Sequence, residues 1–87
     1  MPEYVVYIKR SAQKELAKLS LPLLEKCYKL FDDLSLGPRP VGNKKLAGFK
    51  NLYRLRLNDY RIIYSIQDDE LIIHILKVGH RKNVYKF

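Results

Sequence analysis

The sequence contains a single cysteine, a single methionine and no tryptophan in 87 residues. Cys27 cannot form an internal disulfide, and no group of cysteines and histidines has the spacing of a zinc site. No apolar run approaches the roughly 20 residues that a membrane-spanning helix needs, and residues 1–10 lack the apolar stretch of a signal peptide. We therefore expect a cytoplasmic protein with no membrane partner.

Missing motifs exclude several classes of enzyme. The chain lacks the G-x-x-x-x-G-K-[ST] phosphate loop, the G-x-G-x-x-G dinucleotide fingerprint and the G-x-S-x-G nucleophile elbow. It also lacks the clustered carboxylates of a two-metal nuclease. We expect neither a metal nor another cofactor, so any phosphodiester cleavage must depend on positioning and electrostatic stabilisation.

Positive charge is abundant and unevenly distributed. Seventeen Lys and Arg residues face nine Asp and Glu residues, which gives a net charge of +8. Residues 1–41 carry seven basic and five acidic side chains, whereas residues 42–87 carry ten and four. This distribution favours a polyanionic partner, although a basic surface that serves only solubility has the same composition.

The length and the apolar content of 47% predict a single domain spanning residues 1–87. β-Branched and aromatic residues predict a strand at 4–9, and apolar helical spacing predicts a short helix capped by Ser11. A longer amphipathic helix follows, capped by Ser20 and ended by Gly37, with Cys27 on its apolar stripe. Residues 38–50 are predicted to form a basic loop, and three strands are predicted at 52–57, 60–67 and 70–78.

This β-α-α-β-β-β order predicts an α+β fold in which a helical hairpin packs on one face of a small, mainly antiparallel sheet. Two-residue turns are predicted at residues 58–59 and 68–69, although neither contains the glycine that is typical of tight hairpins. The second turn would set His74 opposite Ile63.

Strand alternation assigns the arginines to the face that the helices leave open. Arg54 and Arg56 share a face, about 6.6 Å apart along the strand. The turn at residues 58–59 sets Arg56 directly opposite Arg61, where two like charges destabilise a sheet. No carboxylate lies in register beside them, which favours an external anion as their partner. The alternative is that the three side chains extend into solvent and bind nothing.

Two residues near the end of the chain, His80 and Tyr85, have side chains suited to proton transfer, but the sequence does not assign them to a face of the sheet. Gly79 is expected to interrupt the strand, so counting cannot place His80. Imidazole is the side-chain group whose ordinary pKa, near 6.5, suits proton donation at neutral pH. Tyr85 can stack on a base or transfer a proton, or it can simply pack on the sheet edge.

Several segments together resemble the RelE/ParE toxin superfamily. They cover most of the chain in the family's order, and they are Ser11-Ala12-Gln13-Lys14-Glu15-Leu16, Lys44-Lys45-Leu46, Leu52-Tyr53-Arg54-Leu55-Arg56, Asp59-Tyr60-Arg61-Ile62-Ile63-Tyr64 and Val78-Gly79-His80-Arg81 with Val84-Tyr85. The resemblance implies the toxin of a type II toxin–antitoxin pair. In the RelE branch, such toxins enter the A site of the small ribosomal subunit and cleave mRNA by attack of the ribose 2′-OH on the adjacent phosphate.

The resemblance also implies a set of site residues. The predicted catalytic residues, matched position by position, are Arg54, Arg56, Arg61, Arg81 and Tyr85, and the predicted RNA-binding residues are Lys44, Lys45 and His80. Arginine stands here at two positions where the best-known pattern has lysine. The implied partners are a cognate antitoxin, the ribosome with its mRNA, and operator DNA bound through the antitoxin.

Two other functions remain open at this point. Members of the ParE branch poison DNA gyrase and have no nuclease activity, and they generally lack the complete basic set with its C-terminal tyrosine. A non-catalytic RNA-binding relative would bind RNA in a salt-dependent manner without cleaving it.

Overall fold

The computed structural model describes residues 3–81, which form two helices and five strands. In chain order the elements are β1 (Val5–Ile8), α1 (Arg10–Leu16), α2 (Leu21–Leu36), β2 (Lys44–Lys45), β3 (Leu52–Leu57), β4 (Tyr60–Gln67) and β5 (Ile72–His80). The strands form one sheet in the order β1-β5-β4-β3-β2, with β1 parallel to β5 and every other pair antiparallel. The predicted α+β fold is confirmed. Neither helix in residues 3–81 is long and apolar enough to cross a membrane.

The helices begin and end close to the predicted positions. Ser20 occupies the N-cap of α2, and the next residues include Pro22, whose missing N–H costs little in a first turn. The prediction that Ser11 caps α1 is wrong, because the helix already begins at Arg10 with Lys9 as its N-cap. The side chain of Gln13 then reaches back to donate a 2.9 Å hydrogen bond to the Ile8 carbonyl, which ties α1 to β1.

The core lies between the helices and one face of the sheet. Its buried members are Ala12, Leu16, Cys27, Phe31, Leu34, Leu55, Ile62, Tyr64, Ile66, Ile73, Ile75 and Val78. Fully burying a large aliphatic or aromatic side chain stabilises a fold by about 1.5–3 kcal/mol, so these residues fix which face of each strand turns inward. The opposite face carries the arginines.

The β3–β4 hairpin has the predicted register. Leu57 pairs with Tyr60, and Arg56 lies directly opposite Arg61. The turn needs a left-handed backbone at Asn58, whose φ is 56°, and asparagine tolerates this conformation better than most residues. A two-residue connection leaves little freedom, so this register follows from the local sequence.

The β4–β5 connection differs from the prediction. It spans residues 68–71 instead of two residues, with a positive φ of 56° at Leu71, so β5 begins at Ile72 and not at residue 70. Gly79 lies inside β5, which continues to His80. A bulge shifts the register between Ile63 and Tyr64. As a result His74 pairs with Ser65, and the prediction that it lies opposite Ile63 is wrong.

Residues 38–50 are more ordered than the predicted loop. They contain the two-residue strand β2, which pairs Lys44 with Arg54. The preceding segment is fixed by Tyr64, whose hydroxyl donates a 2.9 Å hydrogen bond to the Pro38 carbonyl and accepts a 2.6 Å hydrogen bond from the Asn43 amide. Five strands therefore form where the sequence predicts four.

Candidate nucleic-acid interface

Five cations share the sheet face that is turned away from the helices, and we call this surface the basic face. Its residues are Lys44, Arg54, Arg56, Arg61 and Lys77. Directly opposed residues in antiparallel strands project from the same side of a sheet. The register pairs Lys44 with Arg54, Arg54 with Ile63, and Ile63 with Lys77. A second row pairs Arg56 with Arg61 and Arg61 with Gly79.

Arg54 occupies the centre of the first row. Its exposed fraction is only 9%, and no residue in the range 3–81 forms a hydrogen bond or ion pair with its side chain. Within the same range, no fully buried side-chain nitrogen or oxygen lacks a partner, so the guanidinium still reaches solvent. Arg54 is thus a covered cation whose donors remain available to an external acceptor.

The Arg56–Arg61 pair has an energetic cost. Like charges directly opposite each other in a sheet destabilise it by about 0.2–1 kcal/mol. Arg61 reduces this cost by turning back over the hairpin, where its Nη1 donates to the carbonyls of Tyr60 at 3.1 Å and Asn58 at 3.4 Å. Arg56 is exposed and has no such contact among the described residues. Two arginines at directly opposed strand positions fit a ligand of high negative charge.

Arg81 lies at the same end of the sheet as this pair. It directly follows β5, and its backbone N–H donates a 2.9 Å hydrogen bond to the Asp59 carbonyl in the β3–β4 turn. Residues that are 20 positions or more apart in sequence are therefore brought to one edge of the basic face. The side chain of Arg81 is exposed there.

Carboxylates are absent from the strand positions of this face in residues 3–81. The ion pair of the described region joins Arg39 to Asp68 at 2.8 Å, at the other end of β4. Its hydrogen bonds from Arg39, and one from the Tyr4 hydroxyl, lower the pKa of Asp68 to about 2. Arg39 also lies over the Tyr53 ring, 5.2 Å from its centroid, so this cation already has partners.

The structure separates some of the predicted site residues from the arginines. Lys45 pairs with Tyr53 and so alternates away from the basic face. His80 pairs with Tyr60, and the two rings meet edge to face at a centroid distance of 5.9 Å. This places His80 beside α1, in a cleft that Glu15 and other residues line. Tyr85 lies outside the described residues.

Lys77 belongs to the basic face, although strand alternation from the predicted turn does not place it there. A two-residue turn at residues 68–69 would set Lys77 opposite Tyr60, on the helix side. The signal was present in the apolar pattern of β5, because Ile73 and Ile75 alternate whereas Val78 follows three positions later. Such a change of phase is typical of a bulge.

The described residues contain no group of three or more His, Cys, Asp or Glu side chains arranged to hold a metal. The basic face is instead a set of positive charges attached at defined positions of one sheet. Cations held in place before a ligand arrives stabilise developing negative charge without the cost of reorganisation. The chemistry that this surface supports is therefore binding, and charge stabilisation, of phosphate groups.

Known proteins resemble this chain over nearly its full length. A family model described as "ParE toxin of type II toxin-antitoxin system, parDE" matches residues 6–85. Toxin RelG of Mycobacterium tuberculosis is 31% identical over 84 residues, which cover 95% of this chain and 97% of RelG. The mRNA interferase toxin RelE of Escherichia coli K12 is 28% identical over 91% of this chain and 84% of its own length.

A solved structure agrees with these sequence matches. The crystal structure of the archaeal RelE–RelB complex from Pyrococcus horikoshii OT3 aligns with a TM-score of 0.84 and 34% identity, and covers 97% of this chain and 100% of the matched chain. The match includes the arrangement of two helices on a mixed five-stranded sheet. The chain therefore belongs to the RelE/ParE superfamily, the toxins of type II toxin–antitoxin systems.

Proposed function

We propose that this toxin is a ribosome-dependent endoribonuclease that cleaves mRNA in the ribosomal A site and so inhibits translation. The observation that carries the proposal is the basic face, where five cations lie together and no carboxylate of residues 3–81 occupies a strand position. At its centre, Arg54 is 9% exposed and has no hydrogen-bond or ion-pair partner within the same range. The similarity to a toxin named as an mRNA interferase supports the same activity.

The proposed reaction is a transesterification within the RNA. The ribose 2′-oxygen forms a bond to the adjacent phosphorus, the bond from phosphorus to the 5′-oxygen breaks, and the products are a 2′,3′-cyclic phosphate and a 5′-OH. Arg54, Arg56 and Arg61 hold the phosphate and stabilise the charge that its oxygens gain in the transition state. This role suits arginine because the planar guanidinium can donate two parallel hydrogen bonds to a phosphate.

Two protons must move in this reaction. By resemblance to the family, we assign removal of the 2′-OH proton to Tyr85, which accepts it as a phenolate and becomes a neutral phenol. Arg81 lies beside the β3–β4 turn. We assign to it the stabilisation of the negative charge that develops on the leaving 5′-oxygen. Arginine does not release a proton near neutral pH, so the proton that the leaving oxygen gains comes from solvent. His80 is a less suitable donor than its chemistry alone indicates, because it packs on Tyr60 at the helix side.

We further propose that a cognate antitoxin inhibits this toxin in the cytoplasm. The relative from P. horikoshii was crystallised with RelB, which supports a partner of this kind. An acidic or amphipathic antitoxin segment would complement the basic face electrostatically. In such a complex, contact with operator DNA would come through the antitoxin.

Primer extension on a defined mRNA in a reconstituted translation reaction tests the proposed activity. The wild-type protein is expected to produce discrete new RNA ends that depend on ribosomes. Arg61→Ala and Arg81→Ala should remove these ends and relieve growth arrest, while Lys26→Gln, an equal loss of charge on the exposed surface of α2, should leave them unchanged. Circular dichroism checks that each variant is folded.

The family model also carries the ParE name, which favours a gyrase poison as the second candidate. Intact mRNA in the presence of a folded protein that still arrests growth would contradict the nuclease proposal. Inhibition of DNA supercoiling by gyrase would then support the ParE-type activity. Salt-dependent RNA binding without cleavage would instead indicate a non-catalytic relative.

A further inference from the structure

Lys77 is the one cation on the basic face that neither the family resemblance nor the sequence pattern assigns to the site. It reaches this face because a bulge changes the alternation of β5 between Ile75 and Val78, both of which are buried in the core. Lys77 then lies opposite Ile63, and Ile63 lies opposite Arg54. The tertiary structure therefore adds a positive charge to the phosphate-binding surface.

The surroundings of Lys77 are those of a site and not of an open surface. Ile63, which separates it from Arg54 in register, is fully buried but does not belong to the cluster that packs against the helices. Lys77 itself is half-buried. Charges beside a buried apolar side chain are less screened by water than charges at the rim of a sheet. Arg54 and Lys77 should therefore interact more strongly with a phosphate than exposed cations do.

The spacing of the cations exceeds what one phosphate needs. Neighbouring strands lie about 4.8 Å apart, so Arg54 and Lys77, two strands apart, are separated by roughly 10 Å at the backbone. The second row, with Arg56 and Arg61, lies about 6.6 Å along the strands from the first. Arg54 shares β3 with Arg56 of the second row, whereas Lys77 lies on β5, two strands away from both. A strand of RNA that passes from one row to the other would meet Lys77 at a different phosphate.

We propose that Lys77 binds the backbone phosphate adjacent to the scissile one, and so extends the site from one phosphate to two. This inference rests on the proposed RNA substrate. Lysine acts on phosphate as a compact point charge, which suits holding a neighbouring group better than stabilising the reacting one. Lys77 is therefore an RNA-binding residue that sets affinity and not the rate of the chemical step.

The test compares Lys77→Met, which keeps most of the apolar stem, with Lys77→Arg, which keeps the charge, and with Lys26→Gln as the matched control. In the reconstituted translation reaction, Lys77→Met should raise KM about three- to tenfold with kcat within about twofold of wild type. Lys77→Arg should restore most of the affinity. Thermal melting checks that all three variants are folded.

A binding assay distinguishes failure of this inference from failure of the proposed nuclease activity. The probe is a fluorescent single-stranded oligoribonucleotide whose 2′-oxygens are methylated, so that they cannot attack the phosphate and the probe cannot be cut. Loss of one phosphate contact should reduce the slope of log K against log salt by about 0.7 in Lys77→Met but not in Lys26→Gln. This outcome supports the Lys77 contact even if the wild-type protein cleaves nothing.

Three results would overturn the inference. In the first, Lys77→Met binds and cuts as Lys26→Gln does. In the second, kcat falls while KM is unchanged, which would place Lys77 in the chemical step. In the third, Lys77→Met keeps its RNA affinity but loses affinity for the antitoxin, which would make Lys77 a contact for an acidic protein segment.

Discussion

Replacement of Arg56 by glutamine should make the protein more stable while making it less active. Arg56 is exposed and lies directly opposite Arg61 on the neighbouring strand. Like charges in this position cost about 0.2–1 kcal/mol. Because Arg61 already turns toward the carbonyls of Tyr60 and Asn58, the repulsion lies in the middle of that range. We expect Arg56→Gln to raise the free energy of unfolding by about 0.5 kcal/mol, which in a domain of this size raises Tm by about 2–4 °C.

The measurement is urea denaturation at low salt and at about 1 M salt, where the Debye length falls to about 3 Å. The gain in stability should disappear at high salt, since it comes from removed repulsion. Arg61→Gln should gain less, because it also loses two hydrogen bonds to the turn. Lys26→Gln on α2 is the control for a simple change of net charge, and it should have little effect.

Destabilisation by Arg56→Gln, or a gain that persists at high salt, would refute the reasoning. The first result would mean that Arg56 has a structural partner, and the second that the gain comes from strand propensity or packing. If the prediction holds, reduced mRNA cleavage by the same variant cannot be attributed to misfolding. The basic face would then be a surface where repulsion between arginines lowers the stability of the fold while the same arginines bind the ligand.

The remaining predictions concern other parts of the fold. Glu15→Ala should lower the free energy of unfolding by about 1–2 kcal/mol, because it removes the acceptor of the 3.1 Å hydrogen bond from the Val78 N–H; Glu15→Gln keeps an acceptor and should lose much less in urea denaturation. Equal losses would contradict this role. The pKa of Asp68 is lowered to about 2 by its hydrogen bond from Arg39, so its contribution to stability is present above about pH 4 and is lost as the pH falls toward 2. Acid titration of stability should therefore be shallower in Asp68→Asn, and identical curves would exclude the contribution. Cys27 is fully buried, and burial raises the pKa of its thiol, so an alkylating reagent should modify it only on unfolding; rapid labelling of the native protein would argue against this packing.

Local sequence signals were sufficient to predict the β3–β4 hairpin and the start of α2. The bounds of β3 and β4 and the pairing of Arg56 with Arg61 follow from a two-residue turn and strict alternation. Ser20 precedes α2 as predicted; its side chain makes no capping hydrogen bond, and the proline in the first turn favours a helix start at this position. In each case the residues that decide the geometry are neighbours in sequence, so their interactions are formed with little loss of chain entropy.

Structural features that depend on residues distant in sequence could not be predicted in this way. The bulge in β5 depends on which apolar side chains the helices cover. Because of this bulge, Ile63 pairs with Lys77 and not with His74, as the predicted turn would require. Strand β2 has two residues, and it forms because its backbone can pair with the edge of β3. The face of His80 depends on the continuation of β5 through Gly79, where the sequence predicted an interruption.

The sequence by itself determined the α+β class, the family and the three arginines of the hairpin, because alternation and a short turn act over a few residues. Only the tertiary structure decided how β5 aligns with β4, which brings Lys77 onto the basic face and carries Arg81 to the Asp59 carbonyl. The physical reason is that a change of register by one residue moves every following side chain to the other face of the sheet. Packing of Ile75 and Val78 against the helices makes that choice, and it is settled only when the whole core assembles.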